Sequence, residues 1–103
     1  MSKPIRDIEL YNALDEVESV LRRDGWCQEE EWDAQGRRCV GNAVYEAARI
    51  TQKNDMLRHA MLVAITGKRV TPMRAMIDFN DNPSTTFEVV VERIRAAKNA
   101  LVG

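Results

Sequence analysis

A chain of 103 residues that is 45% hydrophobic and 30% charged has the make-up of one globular domain, too apolar for a disordered chain and too short for two cores. A net charge of −1 and a pI of 5.8 give no basic field to draw it to a nucleic-acid backbone or an anionic membrane. No segment approaches the ~20 apolar residues of a membrane span, and the N-terminus lacks the apolar run of a signal peptide, so the expectation is a cytoplasmic protein whose Cys27 and Cys39 stay free thiols.

From about Ile5 to Arg23, the residues Leu10, Ala13, Leu14, Val17 and Leu21 recur three and four apart and draw one apolar stripe down a first helix. Glu18 and Arg22 make an ion-pair spacing off that stripe, and Asp24-Gly25 supplies the stop. The next stretch, WCQEEEWDAQGRRCV, loses helical periodicity and carries Ala34-Gln35-Gly36 at its middle, which predicts a short hairpin.

In Gly41 to Ile50, the small residues Ala43, Val44, Ala47 and Ala48 share one face of a second helix, open to close approach by a neighbour. A third helix is expected to be capped by Asp55, to carry Met56, Leu57, Ala60, Met61, Ala64 and Ile65 in a central position, and to stop at Gly67. Thr71-Pro72 reads as a cap followed by proline at the first helical position, opening a short fourth helix over PMRAMIDF. Thr85 with Glu88 three residues on forms a capping-box pattern ahead of Phe87, Val90, Val91, Ile94, Ala97 and Leu101 in a last helix. The whole predicts a mainly α fold, four to five helices in a single domain over residues 1–103 with a small β-hairpin after the first helix.

Chemistry-bearing residues are few. Cys39 precedes the second helix, where unpaired N–H groups and the helix dipole favour a thiolate; His59, the one histidine, could act as base and Asn80 or Asp81 as its orienting partner. Set against this cysteine enzyme are the absence of a nucleophile motif and the habit of cysteines beside small apolar residues of packing in cores. Cys27, Cys39 and His59 are too few and too irregularly spaced for zinc, so no metal and no cofactor is expected.

Two features read as binding surfaces. Trp26 and Trp32 bracket the run Glu29-Glu30-Glu31; Trp26 is expected to face the core and Trp32 to serve as an interface anchor beside Glu30 and Glu31. Arg58, Lys68, Arg69 and Arg74 surround the link between the third and fourth helices and make a modest basic patch, which keeps a weak nucleic-acid-binding regulator as an alternative. Asn80 and Asp81 sit where side chains bond backbone N–H groups and hold a turn; there they are expected to shape the entry to the last helix, with a ligand site as the alternative.

Gly25-Trp26 after the first helix, Gly36 and Cys39 before an alanine-rich helix, and Asn80-Asp81 ahead of the last helix resemble a domain-of-unknown-function family of small proteins from actinobacteria and their phages. Phe79 stands where that family tends to carry tryptophan, and Asn42-Ala43 where it tends to carry Gly-Ala. The resemblance implies a helix-dominated domain with a small hairpin and brings no catalytic residue with it. Together these readings lead to a small non-enzymatic domain that docks on another protein, in a phage-encoded form a modulator of a host protein, through Trp26, Trp32, Glu30, Glu31, Asn80 and Asp81. A homodimer through Met73 and Met76 is a further possibility, because methionine adapts to irregular contacts.

Overall fold

The computed structural model describes residues 4–51 and 54–103 as five helices: α1 (Asp7–Asp24), α2 (Val40–Ile50), α3 (Asn54–Thr66), α4 (Pro72–Asp81) and α5 (Phe87–Val102). α1, α2, α3 and α5 follow from the apolar spacing above, and α4 from Pro72 at its first position. In α1 the stripe Ala13, Leu14, Val17 and Leu21, widened by Val20, is buried, while Arg22 reaches Glu18 at 3.0 Å on the wet side. In α2 the stripe Ala43, Val44, Ala47 and Ala48 is buried with Val40 and Gly41.

α1 packs on α2 and α5, and α3 touches all four other helices. Central α3 contributes Leu57, Met61, Leu62 and Ile65 to the core, where they meet Met76 of α4 and Val90 and Ile94 of α5. The Cα radius of gyration, 12.7 Å, is that of one compact globule of about 100 residues. Among the described residues no helix is long and apolar enough to cross a membrane.

The helix ends depart from the local signals in two places. Asp55 lies within the first turn of α3 and not ahead of it; the cap position falls outside the described residues. Thr86, not Thr85, caps α5, its side chain accepting the Val89 N–H at 3.2 Å. Thr85 is instead drawn inward, where its hydroxyl donates to the Phe79 carbonyl at 2.8 Å. Thr71 does precede α4, with Pro72 opening the helix, but its backbone is left-handed and its side chain makes no cap bond.

The expected hairpin does not form. Residues 25–39 contain only two isolated bridges, Trp26 with Arg38 and Trp32 with Arg38, and no strand among the described residues. Two local features stop a ladder. Glu29 has φ 69°, a left-handed backbone that breaks strand geometry, and Asp33 Oδ1 accepts the N–H groups of Gln35 and Arg37 at 3.0 and 2.9 Å, closing a turn that strand pairing would leave open. The segment is a tight loop across the ends of α1, α2 and α4. Gly25 begins it at φ 90° and ψ 164°, a conformation that favours glycine, and leaves room for the Arg37 side chain.

Candidate functional site

The loop is held from the far end of the sequence by the C-terminus of α4. Asn80, 2% exposed, makes all four bonds its amide can form with ease. Its Oδ1 accepts the Trp26 indole N–H at 2.8 Å and the Val40 N–H at 2.9 Å; its Nδ2 donates to the Cys27 carbonyl at 3.1 Å and to Asp81 Oδ1 at 2.9 Å. One side chain therefore joins the loop, the first turn of α2 and the last turn of α4.

Two neighbours complete the clasp. The Gln28 amide donates to the carbonyls of Asn80 and Asn82 at 3.1 and 2.9 Å, and Asp81 Oδ1 accepts the Glu29 N–H at 2.8 Å. That last bond holds Glu29 in its left-handed conformation, which in isolation costs about 1–3 kcal/mol. The bend sets Glu29, Glu30 and Glu31 along the mouth of a cleft of about 590 Å³.

The cleft lies between the loop, α2, α3 and α4. Met73, Met76 and Ile77 of α4 form its apolar side, Tyr45 of α2 stands opposite, and Arg58 of α3 lines it with its guanidinium 5.7 Å from the Tyr45 ring centre. Gly41 brings the α2 backbone close to Met73: a Cβ there would meet the Met73 sulfur at 3.3 Å. Met76 is fully buried, whereas Tyr45, Met73 and Ile77 are 54%, 37% and 47% exposed. The pairing of Met73 and Met76 as surplus apolar surface is thus corrected, and Ile77 takes the place of Met76.

The charges around the cleft are uneven. Elsewhere carboxylates are commonly paired: Asp15 with Lys98, Glu18 with Arg22 and Arg95, Asp24 with Arg23 and Arg38, Asp33 with Arg37. The carboxylates of Glu29, Glu30 and Glu31 form no ion pair among the described residues, and all three residues are exposed. Arg58 and Arg74, from the basic patch, are tied at 3.3 and 3.6 Å to Asp55 and Asp78 on their own helices.

Cys39 lines the cleft as the cap of α2, its sulfur accepting the Asn42 N–H at 3.3 Å. Burial pushes its thiol above the ordinary value; N–H bonds from Asn42 and Gly41 pull the other way, while the carboxylates of Glu31 and Asp81 add to the rise. Desolvation and the two nearby anions outweigh the helix terminus, so the net direction is upward and not towards a thiolate. His59 is exposed and opens onto a different recess, with Thr71 and Arg74. Burial likewise raises the Cys27 thiol, whose S–H points to the Arg37 carbonyl at 3.2 Å. Among the described residues no cluster of His, Cys, Asp and Glu could hold a metal ion.

Of the remaining sequence candidates, Glu30, Glu31, Asn80 and Asp81 come together at the cleft. Trp26 packs against the core, stacked 6.5 Å from Phe87. Trp32 is 61% exposed outside the cleft, beneath the Arg38 guanidinium at 5.5 Å. Sequence reasoning missed Gln28, Tyr45 and Ile77. For Tyr45 and Ile77 a signal existed: each is a large apolar residue off the buried stripe of its helix, the usual mark of a contact surface. Gln28 gave none, since its three carbonyl partners lie 52 to 57 residues away.

A model of a family of unknown function, DUF6197, matches residues 6–100, and the chain belongs to that family. No curated protein and no solved structure matches it.

Proposed function

Starting from a family membership that assigns no activity, we propose that the chain is a small non-enzymatic domain that binds another protein through the cleft beside the 25–39 loop. One observation carries the reading: Tyr45, Met73 and Ile77 stay partly exposed around one cleft whose mouth bears three carboxylates that form no ion pair among the described residues. Three wet apolar side chains gathered around one cleft make a patch whose burial a partner supplies. The raised Cys39 thiol and the separate placement of His59 favour binding over nucleophilic catalysis. Acting this way, the protein modulates its partner by occupying a surface.

The test places a photo-crosslinking residue at Met73 and, as a control, at exposed Glu92 on α5. Irradiation in lysate of the native cells is expected to give discrete protein adducts from position 73 that Ile77→Asp removes. Adducts that are the same from both positions, or none from position 73, refute the proposal.

A further inference from the structure

Resting on that reading, we infer that the occupant of the cleft is a basic amphipathic α-helix of the partner, with its apolar stripe on Tyr45, Met73 and Ile77 and its lysines or arginines against Glu29, Glu30 and Glu31. Charge complementarity selects the sign. The three carboxylates are exposed, unpaired among the described residues, and adjacent in sequence, so any anionic occupant meets like charge at the mouth. Asp81 adds a fourth carboxylate to the lining, its Oδ1 bound to the Glu29 N–H and the Asn80 amide, against Arg58, the one cation among the described lining residues, which is paired with Asp55.

The shape of the partner follows from what the cleft lacks. Among the described residues no strand exists, so there is no open sheet edge for an extended peptide to pair with. A ligand small enough to rest on the floor would leave Tyr45 and Ile77 wet, since both stand about half-exposed at its sides. A helix satisfies its own backbone and offers apolar side chains at i, i+3, i+4 and i+7, which is the mode suited to a groove between helices. A helix of about 14 residues is ~21 Å long, about four turns that present one apolar stripe.

The experiment titrates the full chain into fluorescein-labelled synthetic helices and reads anisotropy. The probes are a 14-residue Leu/Lys peptide with one apolar stripe, the same peptide with glutamate for lysine, and a Leu/Lys peptide of equal composition with the stripe scrambled. The basic amphipathic peptide is expected to bind about tenfold or more tightly than either control, and to weaken as salt rises. The triple variant Glu29→Gln, Glu30→Gln, Glu31→Gln should lose about tenfold and flatten the salt dependence. Ile77→Asp should lose binding while its far-UV circular dichroism stays that of the parent, because Ile77 is 47% exposed and lies outside the buried core.

Equal binding of the acidic or the scrambled peptide overturns the inference, as does unchanged affinity in the triple variant or no binding of the basic peptide by the parent. These failures are distinct from failure of the docking proposal. A partner crosslinked from position 73 through a segment that is not a basic helix overturns the helix and leaves the docking surface standing.

Discussion

Replacing Asn80 by alanine removes the clasp that holds the loop, and its cost follows from the bonds it breaks. The Trp26 indole N–H and the Val40 amide lose their acceptor, and the Cys27 carbonyl loses its donor. Asp81 keeps the Glu29 N–H and is not orphaned. The two buried groups, the Val40 N–H and the Cys27 carbonyl, left unpaired at ~1–3 kcal/mol each give a loss of about 2–6 kcal/mol, a large part of the ~5–15 kcal/mol that stabilises a typical domain. For about 100 residues that corresponds to a fall in Tm of roughly 10–30 °C.

Urea denaturation followed by circular dichroism and tryptophan fluorescence measures the loss as a shift in midpoint at constant m. The exposed neighbour Asn82, whose side chain accepts the Ser84 N–H, serves as control, and Asn82→Ala should cost about 1 kcal/mol or less. Asn80→Asp separates the two halves of the amide: it keeps the acceptor for Trp26 and Val40 but faces the Cys27 carbonyl and Asp81 with a second anion. That burial and repulsion raise the new carboxyl above its unfolded value of ~3.9. Its stabilising contribution is therefore present at low pH and lost as pH rises through the folded value, so the deficit against the parent should be smaller at pH 4 than at pH 7. An Asn80→Ala variant within about 0.5 kcal/mol of the parent would refute the reasoning, since an exposed asparagine behaves that way.

Three further outcomes are expected. Thr86→Ala should cost about 0.5–2 kcal/mol in urea titrations, the ordinary loss of a cap, while Thr85→Ser, which keeps the hydroxyl bonded to Phe79, should cost less than Thr85→Val; the reverse order would contradict the assignment. Hydrogen bonds from Arg23 and then Arg38 hold Asp24 well below the usual carboxylate range, so the stability it adds is present above about pH 4 and lost as pH falls towards its folded value; Asp24→Asn should flatten the acid limb of a midpoint-against-pH curve. With both thiols raised, Cys39 and Cys27 should alkylate slowly and at similar rates at pH 6, and rapid selective labelling of Cys39 would restore the nucleophile reading.

The sequence by itself determined a helical fold and the buried faces of α1, α2 and α5, because a helix is set by spacings of three and four residues and by local stops. Leu14, Val17 and Leu21 in α1, the alanines of α2, and Val90 and Ile94 in α5 are buried where periodicity puts them. Only the tertiary structure decided how the ends and the loop are satisfied. Thr85 carries the stronger local signal, with Glu88 three residues on, yet the Phe79 carbonyl takes its hydroxyl inward and the cap falls to Thr86. The run from Trp26 to Cys39 carries a glycine turn that suits a hairpin, yet Asn80 and Asp81 bond its backbone, and its own Gln28 side chain reaches the Asn80 carbonyl, across more than 50 residues, which a hairpin could not match. The cleft belongs to the same level: Glu29, Tyr45, Arg58 and Ile77 come from four separate segments, and no local spacing records that they share one opening. Helical order is written in near neighbours, whereas a clasp or a cleft exists only once packing has brought distant polar groups within hydrogen-bond reach and fixed which apolar side chains remain outside.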